Sequence, residues 1–222
     1  MTFLTRQNGE MVDLFAQAII AVGGVTLSLS QPFVWRSGIS SPIYVDARRL
    51  ISEPALRRQL KESAVQMIQK MHQAISEQEA IGIAAVATGG LPWGTLLADA
   101  LDVPLIYVRS SKKTYGREQA IEGEIDPKRR YIIVEDVIST GGSAIKAATA
   151  LHDAGGEVRE VFALYTYELP QARAAFLRAG LTLRTLGTFH TLIETMLQEK
   201  MITSETHQAL LDWHQILTEA PC

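Results

Sequence analysis

YIIVEDVISTGGSAIKA, residues 131–147, reads as an apolar strand that runs into two adjacent carboxylates, Glu135 and Asp136, then a turn, then a helix. The turn carries Ser139, Thr140, Gly141, Gly142 and Ser143. In an open α/β sheet, ligands bind at the carboxyl ends of the strands. A glycine-rich turn entering a helix aims backbone N–H groups and hydroxyls at one spot, which suits a phosphate. Two carboxylates at that same spot would repel the phosphate, but they suit ribose hydroxyls nearby, from which they accept hydrogen bonds. Together the two features describe a ribose 5-phosphate. The plain alternative is an ordinary strand-to-helix turn with a capping serine. Neither GxxxxGK[ST] nor GxGxxG occurs, so neither a P-loop nor a dinucleotide fingerprint is supported.

Outward from this stretch the chain repeats the same strand–helix rhythm. Apolar runs of strand length fall at 80–87, 103–109, 131–135 and 158–166, with a weaker one at 181–186. Helical patterns lie between several of them, at 92–101, 143–154 and 170–179, and two more follow at 189–200 and 204–217. Continuous apolar strands alternating with helices predict a mostly parallel sheet covered on both faces. Upstream, Ser52 and Pro54 mark the start of an amphipathic helix that runs to about Ile75. The first 50 residues differ in character. Met11, Leu14, Phe15, Ala18 and Ile19 recur at helical spacing until Gly23-Gly24, then Val25, Leu27 and Leu29 alternate, and 33–48 (FVWRSGISSPIYVDAR) reads as two short extended pieces around a Gly/Ser turn. The expected organisation is a helix and small N-terminal unit over 1–50, with an α/β core over 51–222, the whole forming one compact body. The segment 110–130 is the one long stretch without periodicity, and such a loop inside a compact domain is usually functional or mobile.

Bulk properties narrow the classes. The formal charge of −3, 47% hydrophobic and 20% charged residues fit an ordinary globular protein and give no reason to expect a nucleic-acid or membrane partner. The one cysteine, Cys222, excludes a disulfide framework within one chain. The N-terminus MTFLTRQNGE lacks the pattern of a signal peptide, and no apolar run reaches the ~18 residues of a membrane span, so a reducing cytosol is the expected home. The five histidines (His72, His152, His190, His207 and His214) show no metal-ligand spacing and read as surface residues on helices. Arg109, Lys112, Lys113 and Arg117 place four cations within nine positions. They suit a pyrophosphate leaving group; a solvated basic loop is the alternative.

Three of these segments carry a family resemblance. EDVISTGGSA (135–144) resembles the motif by which type I phosphoribosyltransferases bind phosphoribosyl pyrophosphate (PRPP). FVWRSGISSPIYVDAR (33–48) resembles the N-terminal hood signature of orotate phosphoribosyltransferases, and YVRSSKKTYGREQAIEG (107–123) their mobile catalytic loop. The segments stand in family order, and the resemblance covers roughly residues 10–190. It implies the type I phosphoribosyltransferase fold, a homodimer, Mg²⁺ held mainly through PRPP, and transfer of ribose 5-phosphate from PRPP to orotate. By the same resemblance, Glu135 and Asp136 hold the ribose hydroxyls, Asp136 counting among the catalytic residues. Val137 and Ile138 continue the PRPP motif, and Ser139, Thr140, Gly141, Gly142 and Ser143 cradle the 5-phosphate. Arg109, Lys113 and Tyr115 are PRPP contacts, with Arg109 and Lys113 reaching the neighbouring subunit's site and Lys113 the catalytic lysine.

The resemblance also places Thr88, Gly89 and Gly90 at pyrophosphate, where a tight structural turn is the alternative. Arg36, Tyr44, Val45 and Ser139 fall around orotate; Arg36 is otherwise a surface residue and Tyr44 otherwise core. Arginine suits the orotate carboxylate by its shape. Two positions depart from the family: Tyr115 stands where histidine is common, and Ser110 where a second lysine often stands. After the strand ending near Tyr167, where some members place an arginine for orotate, this chain reads TYELP. A purine-type phosphoribosyltransferase is the runner-up, opposed by the hood segment. A non-catalytic PRPP-sensing regulator is opposed by the intact basic loop.

Overall fold

The computed structural model describes residues 4–7, 10–35, 37–75, 80–109 and 120–219. Its centre is a six-stranded sheet of β7 (Ile81–Val86), β8 (Leu105–Val108), β9 (Ile121–Glu122), β10 (Arg130–Ile138), β11 (Glu157–Thr166) and β12 (Thr182–Thr188), in the order β12-β11-β10-β7-β8-β9. All neighbours pair parallel except β8 and β9. This is the expected α/β architecture, a mostly parallel sheet between two helical layers.

The two layers follow from the period-two alternation of a strand. Ile83, Ile132, Val134, Phe162 and Leu164 face one core, together with α1 (Leu14–Ala21), α2 (Pro54–Ile75), α3 (Gly90–Leu101), α6 (Phe189–Gln198) and α7 (Ser204–Glu219). Ala84, Tyr131, Ile133, Val161 and Ala163 face the other, under α4 (Gly142–Asp153) and α5 (Pro170–Arg178). Burying both faces explains why these strands read as unbroken apolar runs. No helix among the described residues is long and apolar enough to cross a membrane.

The N-terminal elements differ in detail from expectation. Met11 lies not in a helix but in β2 (Glu10–Asp13), which pairs with β1 (Leu4–Gln7). The helix starts at Leu14 because the Asp13 carboxylate accepts from the Ala16 N–H at 3.0 Å, capping it. Two short antiparallel pairs follow: β3 (Val25–Leu27) with β6 (Ile43–Val45), and β4 (Phe33–Val34) with β5 (Ser40–Ser41). Ser52 does not cap α2; it ends a 3-10 turn over Ala47–Ser52, and α2 begins at Pro54. Strand β10 runs to Ile138, so Glu135 and Asp136 lie within it. Its last residues pair with β11, Ile138 opposite Thr166.

Candidate active site

The turn after β10 has the form expected of a phosphate cradle. Gly141 is the N-cap of α4 with φ of 78°, and no side chain caps this helix. The N–H groups of its first turn are therefore left for a ligand. Gly141 is held on two counts: its φ is left-handed, and an added Cβ would come 2.8 Å from Phe176 Cε2, which presses on the turn from α5. Ser139 to Ser143 line a cleft of about 310 Å³, with Trp35 and Lys146 on its rim.

Two carboxylates precede it. Glu135 is buried at 6% exposure, and its Oε1 accepts from the Asp136 N–H at 3.2 Å. Burial, and then the charge of Asp136, push its carboxyl well above the usual glutamate range. Asp136 is half-buried, its Oδ1 accepting from the Val137 N–H at 2.9 Å. A raised pKa in the folded state means stability that is full below the ordinary glutamate value and is lost as pH rises toward the raised one. Glu135→Gln is therefore expected to stabilise the protein near neutral pH by about 0.5–2 kcal/mol. The gain should shrink as pH falls toward the ordinary glutamate range, and PRPP affinity should drop. Thermal melts across pH, with PRPP binding, check both; a variant less stable at neutral pH would contradict the argument.

Beside β10, the end of β7 turns through Thr88-Gly89-Gly90 into α3. The Ala87–Thr88 peptide is cis. A Cβ on Gly90 would land on the Val134 carbonyl, and one on Gly89 on the Asp136 carboxylate, so this turn lies directly against β10. Thr88, Gly89, Asp136 and Ser139 line one part of a second cleft, of about 650 Å³. Phe33, Trp35, Tyr44, Val45, Arg48 and Tyr167 are among its other lining residues. The two clefts share Trp35, Val137 and Ser139, so they form one continuous groove.

The aromatic wall is braced from three directions. Tyr167 Oη accepts from the Val45 N–H at 2.9 Å, and the Trp35 ring lies 4.3 Å from the Tyr167 ring. Trp213, from α7, meets Trp35 edge-on at 6.0 Å and donates from Nε1 to the Ser40 carbonyl at 2.8 Å. The ring of His214 bonds the Tyr167 carbonyl through Nε2 at 2.9 Å. His214 is buried, which corrects its reading as a surface residue; burial lowers its pKa. Next to Tyr167, Glu168 meets His190 Nδ1 at 2.6 Å, a bond that raises the His190 pKa. Periodicity places these residues on helices but says nothing of which faces meet.

Of the residues singled out from sequence, the groove gathers Tyr44, Val45, Thr88, Gly89 and Glu135 to Ser143. Gly90 is buried beneath it. Arg109 lines neither cleft of its own chain; its Nη2 lies 3.3 Å from Glu122 Oε1. Arg36, Ser110, Lys112, Lys113, Tyr115 and Arg117 lie outside the described residues. Trp35, Arg48, Lys146 and Tyr167 line the groove without having been singled out. Trp35 and Arg48 lie inside the hood segment and Lys146 inside the 131–147 stretch, whereas Tyr167 has no such signal.

A parallel sheet with a phosphate cradle at one strand end, two carboxylates before it and a base-sized aromatic cleft beside it defines a nucleotide-forming transferase. Residues 55–173 match the phosphoribosyl transferase domain. Over 200 residues the chain is 40% identical to an orotate phosphoribosyltransferase of Coxiella burnetii, covering 90% of this chain and 93% of the relative. Among solved structures it resembles the orotate phosphoribosyltransferase from Aeropyrum pernix, with a TM-score of 0.69 and 29% identity, covering 83% of this chain and 98% of that one. It also resembles the UMP synthase of Leishmania donovani, with a TM-score of 0.76 and 27% identity over 91% of this chain, but spans only 42% of that longer protein. The chain belongs to the orotate phosphoribosyltransferase family.

Proposed function

We propose that this protein transfers ribose 5-phosphate from PRPP to orotate, giving orotidine 5′-phosphate and pyrophosphate, in the synthesis of UMP. The observation that carries the reading is the continuous groove. It joins a cradle for a 5-phosphate, carboxylates for a ribose and an aromatic cleft for a planar base at the ends of adjacent strands. The names of the relatives favour orotate as that base. The working enzyme is a homodimer in the cytoplasm, organised as hood (1–50) and core (51–222) in one body.

The bond from ribose C1 to pyrophosphate breaks, orotate N1 gives up its proton to the basic pyrophosphate or to water, and a bond from C1 to N1 forms, with positive charge on the ribose and negative charge on pyrophosphate in between. This chain's work is positioning and electrostatics. The cradle anchors the 5-phosphate. Asp136 and Glu135 accept from the ribose hydroxyls and so fix the face of C1. Tyr44, the Val45 backbone and Ser139 hold the base, and Arg36 meets its carboxylate. Lys113, with Arg109 and Tyr115, comes from the neighbouring subunit to the leaving pyrophosphate, and closure of its loop keeps water from the activated ribose. Asp136 brings oxygen donors to the groove and so suits Mg²⁺, which, held mainly through PRPP, would offset pyrophosphate charge.

Activity is expected to require Mg²⁺ and to favour orotate over uracil, which lacks the carboxylate. Arg36→Ala should weaken orotate use by about 2 kcal/mol, some thirtyfold in kcat/KM, and leave PRPP affinity nearly unchanged. Following orotate loss by absorbance, with uracil, adenine and hypoxanthine as competing bases, tests both. Equal turnover of uracil and orotate would remove the basis for the pocket assignment.

A further inference from the structure

We propose that Arg48 is a substrate-contacting residue, a cation supplied by the protein's own chain to the leaving pyrophosphate; this rests on the transferase reading above. The argument begins with charge. The groove must receive a pyrophosphate and an anionic base, yet Glu135 and Asp136 already stand in it. Among the described residues lining the larger cleft, Arg48 is the one cation.

Its placement is specific. Arg48 lies on the 3-10 turn over Ala47–Ser52, which packs against β10. Its Nε donates to Asp46 Oδ1 at 2.6 Å and its Nη2 to Tyr44 Oη at 3.4 Å. The Asp46 carboxylate also accepts from the Arg48 backbone N–H at 3.3 Å. The side chain of Arg48 is 59% exposed, and an ion pair that open to water contributes at most about 1 kcal/mol to stability. What Asp46 and Tyr44 do is orient the guanidinium. Arginine carries five N–H donors, and the described side-chain bonds engage Nε and Nη2, so the fork still has donors to offer a ligand.

The neighbours identify the ligand. Arg48 shares the cleft with Thr88 and Gly89, and Gly89 lies against the Asp136 carboxylate. Asp136 in turn acts electrostatically on Arg48. Arg48 thus stands in the same cleft as the Thr88-Gly89 turn and the Asp136 carboxylate, where a multiply charged anion must be held next to a carboxylate. A guanidinium suits phosphoryl oxygens by its planar, bidentate geometry, which a lysine ammonium lacks.

The test is direct binding of magnesium pyrophosphate by calorimetry to the wild-type dimer, Arg48→Ala and Arg48→Lys, without orotate, followed by steady-state kinetics. Arg48→Ala should weaken pyrophosphate binding at least about tenfold, and kcat/KM for PRPP by about 10–100-fold. The KM for orotate should stay within about twofold, and Arg48→Lys should recover only part of the loss. Unchanged pyrophosphate affinity with a raised KM for orotate would overturn the proposal and make Arg48 a base ligand. Unchanged values throughout would overturn it as well, leaving Arg48 a surface partner of Asp46. A wild-type protein that binds magnesium pyrophosphate but does not consume orotate would sink the orotate reading and leave this test standing.

Discussion

Two inactive variants, Lys113→Ala and Asp136→Asn, are expected to restore activity to each other when mixed. Lys113→Ala should bind PRPP and turn over about 10²–10³-fold more slowly, because the departing pyrophosphate loses a cation that matters most as charge develops. Asp136→Asn fails for a different reason, the loss of a ribose-holding carboxylate. If Lys113 serves the neighbouring subunit, both lesions of a mixed dimer fall on the same site, which is doubly damaged, and the other site is intact. At equal mixing about half the dimers are mixed and each has one good site, so activity should reach about a quarter of wild type. Subunit exchange is demonstrated separately, by tagging one variant and recovering the other with it. Exchange without recovery of activity would mean that Lys113 acts within its own chain. Arg109 fits the shared-site arrangement, because it pairs with Glu122 and lines neither cleft of its own chain.

Gly90→Ala should damage both stability and PRPP use. The new Cβ would overlap the Val134 carbonyl and lie 3.0 Å from the Glu135 Cα, and both belong to the backbone of the central strand. Neither can step aside, so α3 must lift, carrying the Thr88-Gly89 turn with it. Overpacking of this kind costs about 1–3 kcal/mol. For a chain of this size that lowers Tm by about 2–4 °C per kcal/mol. A pyrophosphate turn displaced by an ångström should lose about 10²-fold in kcat/KM for PRPP. Gly142→Ala is the control: its Cβ meets only Thr140 Oγ1, at 3.8 Å, and should change stability little. Melts of both variants, and a PRPP titration of Gly90→Ala against wild type, decide the matter. A Gly90→Ala protein with wild-type kinetics would remove the pyrophosphate role of this turn.

The contrast between these glycines shows which information the chain displays openly. The strands at 80–87, 131–135 and 158–166 were legible because both faces are buried, so hydrophobicity is continuous and needs no partner to be recognised. The turn after β10 was legible because its chemistry is contiguous: acids, hydroxyls and glycines follow one another along a few residues. Where a feature is made by distant segments, the signal is lost. Met11 continued a helical pattern that in fact starts at Leu14, since Asp13 both ends β2 and caps α1. His214 sat on a polar-looking helix, yet its ring stacks on Phe189 and bonds to the Tyr167 carbonyl. Tyr167 carries no motif, and its place in the cleft follows from a hydrogen bond to a residue 122 positions earlier. Arg48 was hidden within a recognised segment because its neighbours Asp46 and Arg49 make it resemble one more surface charge.

The bond from Trp213 to the Ser40 carbonyl spans 173 positions. It bears on how the molecule is made. The hairpin of β4 and β5 is translated well before Tyr167 and Trp213, on which Trp35 rests. Pairings this distant form late, since the loop between them must close before any contact rewards it. The aromatic wall thus joins an early-translated hairpin to late-translated partners and is among the last parts to settle. A nascent chain stopped before residue 204 would carry all six strands of the central sheet, with the turn after β10, while its aromatic wall still waited for α7.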